Sequence, residues 1–405
     1  MTRTIHLIFF DAGGGHRSAA NALSMAIEEQ GRPWRIEMLN LQELFDSLDI
    51  FRKLTGVRMQ DIYNATLKKG WTLGSPQLTR AMHGVIRLYH ARQVKLLEAY
   101  WRQNPTDLVV SLIPNFNRAL FQSLRRTLPG VPLVTVLTDL ADFPPHFWME
   151  KQDQYLVCGT DRAVEQARSL GYCDDHVFRT SGMIVNPKFY ASVEIDRKAE
   201  RAGLGLNPEL PTGLVLFGGH GSSDMEDIAL AVSESGLNVQ LIMLCGHNEK
   251  LATRLREMPR NFPMHVEGFT RDVPRFMRLA DFFIGKPGPG SISEALCMQL
   301  PVIVERNAWT LPQERYNADW VQEQGVGIVL SSFREIPQAI RELLRPRTYG
   351  KLQRRVKQLE NRAVFEIPEM VELVMARATE VIPGGEQKVA GMRKRRLPRF
   401  RKLAS

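Results

Sequence analysis

The chain has 405 residues, 44% of them hydrophobic and 24% charged, which is enough for two domains with separate cores and ordinary for a globular protein. No apolar run approaches the roughly 20 residues needed to cross a bilayer, and the scattered cysteines (Cys158, Cys173, Cys245, Cys297) show neither metal spacing nor a disulfide framework, which suits a reducing, cytoplasmic setting. The net charge of +9 is uneven: residues 388–405 carry eight bases and no acid, so the remaining body is nearly neutral.

Residues 5–10 (IHLIFF) form a compact apolar run and predict a first buried parallel strand, entered without a signal-peptide pattern. Asp11-Ala-Gly-Gly-Gly-His16 follows, then a helix over 18–29 with Ala19, Ala22, Leu23, Ala26 and Ile27 on one face. Gly31-Arg32-Pro33 stops it, and residues 34–39 make the next strand. Residues 41–104 are too long for a simple crossover and read as a helical insertion broken near Gly56, Gly70 and Gly74. Core packing is expected of Tyr89, Leu96 and Tyr100; Trp71, beside Lys68 and Lys69, reads as a membrane-interface contact.

Regular alternation then returns. Strands are predicted at 108–113, 131–137, 155–157 and 177–179, with helices at 116–126 and 161–170 between them. Residues 183–210, punctuated by Pro187 and Pro208, read as a linker. A second series of strands starts at 214–217, 239–244, 264–266, 281–284, 301–304 and 326–330. Glycine-rich turns follow several of them: Gly218-Gly219-His220-Gly221, Cys245-Gly246-His247-Asn248 and Gly268-Phe269. Helical patterns at 335–344 and 349–377 close the fold. The expected organisation is therefore α/β, two doubly wound Rossmann-like domains (1–182 and 211–348) facing a cleft, with ligands at the carboxyl ends of the strands. A basic tail occupies 386–405.

The stretch 281–300 is central. The apolar run ends in Gly285-Lys286-Pro287-Gly288-Pro289-Gly290, Ser291 stands at an N-cap position, and Glu294 follows at capping-box spacing. A glycine turn feeding a helix start offers unpaired N–H groups and partial positive charge to a phosphate. Glu294, one turn on, is within reach of a ribose; an ordinary strand–loop–helix corner has the same residues.

Taken together, Asp11–His16-Arg-Ser-Ala-Ala and Gly285-Lys-Pro-Gly-Pro-Gly-Ser-Ile-Ser-Glu294-Ala resemble the motifs of the monogalactosyldiacylglycerol synthase and diacylglycerol glucosyltransferase group of family 28 glycosyltransferases. The resemblance spans about residues 5–345 and implies the GT-B fold, with an acceptor domain first, a UDP-sugar domain second, and a final helix (349–385) crossing back. It implies an inverting, metal-independent enzyme without a cofactor. By position it assigns the diphosphate loop to Gly218, Gly219, His220 and Gly221, and the strand-end loop to Gly246, His247 and Asn248, with His247 where the family has arginine. Phe269 would frame the uracil, Gly288, Gly290 and Ser291 the phosphates, and Glu294 the ribose. Gln313, Glu314 and Asn317 would meet the sugar. The loop 306–311 departs from the plant-type spelling, which leaves galactose and glucose both open.

Transfer with inversion requires a base for the acceptor hydroxyl and stabilisation of the departing UDP. Lys286 is placed for the second task, or is a solvated loop lysine. His16, after Gly14 and Gly15, can approach a substrate closely and take the proton; Asp139, at the end of the 131–137 strand, is the rival base. His146 and Trp148 in the following loop would border the acceptor, although packing alone accounts for Trp148. The expected partners are a UDP-hexose, diacylglycerol and an anionic membrane surface reached by the tail, on the inner face of the cell membrane. A polyprenyl-linked acceptor and a non-catalytic sugar-nucleotide-binding regulator are the alternatives. A nucleic acid is not expected, because the basic residues are confined to the tail and lack a basic-aromatic module.

Overall fold

The computed structural model describes residues 2–11, 14–45, 75–143 and 146–380, with only the backbone of 75–87 and of 379–380. Trp71 and the basic tail lie outside these residues, so the membrane contacts expected of them do too.

The chain forms two parallel six-stranded sheets, ordered β2-β1-β3-β4-β5-β6 and β12-β11-β10-β7-β8-β9. The first comprises β1 (Arg3–Phe9), β2 (Trp34–Asn40), β3 (Leu108–Ser111), β4 (Leu133–Val136), β5 (Tyr155–Cys158) and β6 (Val177–Arg179). The second comprises β7 (Thr212–Leu216), β8 (Gln240–Leu244), β9 (Met264–Glu267), β10 (Phe282–Gly285), β11 (Val302–Glu305) and β12 (Gly327–Leu330). Because side chains alternate across a pleated strand, β1 sends Ile5, Leu7 and Phe9 to one core and Ile8 to the other. Both faces are covered by helices, which is why these strands read as continuous apolar runs.

The helix Ser75–Gln103 packs against Asn117–Thr127, burying Val94, Leu97 and Trp101, with Trp101 Nε1 donating to Ser123 Oγ at 3.0 Å. The expected core face is thus displaced by one position: Tyr89, Leu96 and Tyr100 are half-buried. The Tyr100 and Trp101 rings both stand edge-on to the buried His6 of β1, at 5.7 and 5.5 Å.

The stretch expected to be a plain linker is structured. It holds a short 3-10 turn at Pro187–Phe189 and the helix Arg197–Gly203, capped by Asp196. Arg201 is buried there; its guanidinium meets Asp281 at 2.8 Å and the Leu279 carbonyl at 2.7 and 2.9 Å, while Asp281 also accepts from Thr212 N–H at 2.8 Å. This network fastens the segment to the starts of β7 and β10.

The pattern over 349–377 is likewise two helices. Pro346–Gln358 packs on the second domain through Leu352 and Val356, whereas Ala363–Glu380 packs on the first through Ile367, Val371 and Val374. The break falls where the chain crosses between domains. There Asn361 Nδ2 donates to the Met183 carbonyl at 3.0 Å and Arg362 N–H to Ser181 Oγ at 2.7 Å, so the two crossings are laced together. No described helix is long and apolar enough to cross a membrane.

Removing one partner of a buried ion pair strands the other charge, at a cost of roughly 3–5 kcal/mol. Asp281→Ala is therefore expected to lower the stability of the second domain by about that much in urea unfolding. A change below about 1 kcal/mol would show that the Leu279 and Pro208 carbonyls alone satisfy Arg201.

Candidate active site

In each sheet the strand order reverses beside the first strand of the domain, between β1 and β3 and between β7 and β10. Such switch points leave a crevice at the carboxyl ends of the strands. The loops that end there carry the candidate residues.

On the first domain, Gly14 adopts φ 79° and the helix Gly15–Glu29 starts directly after it, so His16 lies in the first turn. The helix therefore begins three residues earlier than its apolar pattern indicates. His16 Nδ1 is 3.2 Å from Thr138 Oγ1, and its ring is 6.0 Å from that of Trp148. Burial pushes the imidazole down to about 4, slightly opposed by the Leu112 backbone, so at neutral pH it is uncharged. Asp139 stands next to Thr138 at the end of β4 and accepts a 2.8 Å hydrogen bond from Trp148 Nε1. Its carboxyl is pushed up to about 7, chiefly by burial; the indole hydrogen bond lowers it, the negative charges of Glu314 and Asp142 raise it, and Lys286 lowers it. The charges of the second domain are thus felt at Asp139.

Trp148 is fully buried and does not border an open acceptor site. Its ring holds Asp139 instead, because an indole N–H in a core needs an acceptor. His146 is exposed at φ 65°. Asp142, not anticipated, organises this loop: its carboxylate accepts from the N–H of His146 at 2.9 Å and of Trp148 at 2.7 Å. Thr138 was also missed as the partner of His16, although its place beside Asp139 at a strand end was a usable signal.

On the second domain, Gly246 lies so close to Gly219 that a Cβ would sit 2.3 Å from the Gly219 carbonyl oxygen, and His247 N–H donates to that carbonyl at 2.9 Å. Asn248 Nδ2 holds the His220 carbonyl at 3.1 Å while its Oδ1 caps the helix Glu249–Glu257. The Gly218–Gly221 loop and the β8 turn are therefore one unit, with left-handed backbone at Gly218 and Gly221. His247 stacks on Phe269, rings 3.9 Å apart and 18° from parallel, and Phe269 remains about half exposed at 51%.

The helix after β10 runs Pro289–Cys297 and its N-cap is Gly288, not Ser291. The capping box is absent: proline's fixed φ favours the first helical position and starts the helix three residues early. Ser291 Oγ turns back to the Gly288 carbonyl at 3.3 Å, and no side chain caps the helix. Glu294 consequently lies inside the helix, half-buried rather than at an exposed start. Burial alone pushes its carboxyl up to about 7, and among the described residues it has no hydrogen-bond partner. Lys286 Nζ pairs with Glu314 Oε1 at 3.2 Å, with Glu314 the more buried of the two. Gln313 and Glu314 occupy the first turn of Pro312–Gln324. Asn317 is fully buried, and its Nδ2 donates to the Pro287 carbonyl at 2.9 Å; it braces the glycine loop and is not open to a sugar.

Phe143 and Tyr316 meet across the two domains at 6.0 Å. Behind them a hollow of about 610 Å³, lined by Leu140, Arg162, Ser181, Ser293 and Asn361 among others, extends toward the crossings. It adjoins the Asp139 loop but contains neither His16 nor Lys286.

The profile of the glycosyltransferase family 28 C-terminal domain matches residues 214–368. These residues form a glycosyltransferase family 28 domain. Over most of its length the chain is similar to the probable chloroplastic monogalactosyldiacylglycerol synthase 2 of Oryza sativa subsp. indica, 28% identical over 82% of this chain and 72% of that protein. The monogalactosyldiacylglycerol synthase of Spinacia oleracea is 27% identical over 85% of this chain and 67% of its own. Among solved structures, MurG of Acinetobacter baumannii superposes with a TM-score of 0.60 at 13% identity, over 92% of this chain and 99% of that one. The architecture is the GT-B fold.

An unfolded aspartate releases its proton near pH ~4, whereas folded Asp139 holds its proton to about 7. The folded state binds the extra proton in this window, so the stabilisation is complete below it and is lost as pH rises through about 7. Asp139→Asn removes the dependence. Thermal melts between pH 4.5 and 8 are expected to show the variant gaining on the wild type as pH rises; parallel curves would mean that Asp139 titrates normally in the folded protein.

Proposed function

We propose that the protein is an inverting hexosyltransferase that moves galactose or glucose from a UDP-sugar to diacylglycerol at a membrane surface, giving a β-glycosyl diacylglycerol without an active-site metal. The observation that carries this reading is that the Asp139 loop, whose Phe143 meets Tyr316 of the second domain at 6.0 Å, stands across the cleft between the two sheet switch points from the Lys286–Glu314 pair, whose charges act on Asp139. The similarity to proteins named monogalactosyldiacylglycerol synthases supports the lipid acceptor.

The acceptor hydroxyl attacks the anomeric carbon from the side opposite UDP; the carbon–oxygen bond to the diphosphate breaks, and its electron pair leaves on the β-phosphate. Lys286 and the open N–H groups of Gly290 and Ser291 stabilise that charge. Glu294, desolvated and unpartnered, accepts from the ribose hydroxyls, and Gln313 and Glu314 meet the hexose. Two observations support Asp139 as the proton acceptor. Its carboxyl near 7 is matched to neutral pH, and the Trp148 hydrogen bond fixes it toward the cleft loops. His16, neutral and tied to Thr138, orients the hydroxyl.

Radiolabelled UDP-galactose and UDP-glucose, incubated with the protein and mixed lipids, are expected to carry label into the organic phase with diacylglycerol present. Label in a polyprenyl acceptor instead would change the acceptor, and none in any lipid would defeat the reading. Asp139→Asn is expected to lower turnover by roughly a hundredfold or more and to abolish a rise in kcat/KM through pH ~7. Were that rise to persist in Asp139→Asn and vanish in His16→Ala, the histidine would be the base. Glu294→Ala is expected to weaken UDP in calorimetry with the fold intact; unchanged affinity would remove Glu294 from the ribose site.

A further inference from the structure

The crevice of the first sheet opens beyond β1 and β3, and both strands lead there into a phenylalanine. Phe10 follows β1 and Phe116 lies just past β3; their rings meet edge-to-face at 5.1 Å. Phe45, at the end of the short helix Leu41–Phe45, leans on Phe116 at 5.5 Å. All three pack on the core beneath while part of each remains accessible. The backbone that aims Phe116 is unusual. Asn115 adopts φ 70°, a left-handed turn that asparagine accepts more readily than most residues other than glycine.

That turn is tied to the reacting groups. Asn115 N–H donates to the Phe147 carbonyl at 2.7 Å, and Asn117 Nδ2 to the Trp148 carbonyl at 3.0 Å. Trp148 is the residue whose ring faces His16 and whose N–H holds Asp139. A polar margin adjoins the rings: Asp11, next after Phe10, pairs with Arg17 and accepts from Asn40 Nδ2 at 3.2 Å. An apolar platform with a polar margin, tied through the Phe147–Trp148 backbone to an imidazole and a carboxyl, matches an amphiphile whose hydroxyl end enters the cleft.

We infer that Phe10, Phe45 and Phe116 seat the hydrocarbon chain of the acceptor, so that the acceptor is an alcohol recognised through its apolar part. This rests on the lipid-acceptor reading above. The direct probe is a short diacylglycerol bearing one pyrenyl chain, titrated by fluorescence, a measurement that needs no turnover. The wild type binds it, and Phe10→Ala and Phe116→Ala each weaken it by roughly tenfold, the scale of a lost apolar contact in a pocket. UDP affinity, measured by calorimetry, holds in both. In the transfer assay the KM for dioleoylglycerol in mixed micelles rises more than that for diacetylglycerol. Failure of the wild type to bind the probe, or equal affinity in wild type and variants, overturns the inference. Loss of probe binding in the variants with no label in any lipid leaves the seat standing and defeats the transfer reading; label entering dioleoylglycerol equally well in all proteins does the reverse. Should Phe116→Ala lose UDP binding through misfolding, Phe45→Ala, at the margin of the cluster, decides.

Discussion

The site depends on one electrostatic constraint: carboxylates and an ammonium are held together where two parallel sheets end. Each sheet points the carboxyl ends of its strands into the same cleft, and the laced crossings at Ser181–Met183 and Asn361–Arg362 hold those ends toward each other. The walls are packed side chains, so charge there is poorly solvated. Asp139 and Glu294 are both pushed up to about 7 by this burial. Neither is held so for the sake of stability, since a desolvated carboxyl with few donors is a cost to the fold. Such groups are informative because packing alone does not explain them.

The two acids differ in how they meet that cost. Asp139 has an indole N–H and a nearby ammonium, so its charged form is partly provided for. Glu294 has neither among the described residues, and its helix begins after a three-residue loop from β10 without a capping side chain. A ligand carrying hydroxyl donors and phosphate acceptors would satisfy both deficits at once. A nucleoside diphosphate has that combination, which is the chemical reason for preferring it over a simple anion.

Much of this was legible in the sequence for identifiable reasons. The strands were, because a strand covered on both faces needs apolar residues at every position, and β1 and β10 have them. The glycine loops were, because few residues besides glycine accept the left-handed backbone of Gly14 and Gly246. The errors have equally specific causes. Ser291 and Glu294 have the spacing of a capping box, but Pro289 competes for the helix start and wins. Packing was the expectation for Trp148, but its polar partner Asp139, nine positions away, was not legible because pairing of this kind has no periodicity. Thr138 and Asp142 are short polar residues in a turn, and nothing local distinguishes an organiser of a loop from a solvated one. The helix Ser75–Gln103 buries a face one position on from the expected one because its packing partners, such as Ser123 for Trp101, lie in different elements remote in sequence.

The Lys286–Glu314 pair gives the proposed reaction an order. In the structure Glu314, the more buried partner, is neutralised by Lys286 at 3.2 Å. A diphosphate arriving at the Gly288–Ser291 turn competes for the same ammonium with a larger negative charge. If Lys286 turns toward it, Glu314 is left buried and uncompensated beside Asp139 unless something else donates to it. Hexose hydroxyls are such donors, whereas UDP alone has none to offer at that place. The swap therefore favours a donor whose sugar is attached over the spent nucleotide, and it makes product release easier once the sugar has gone.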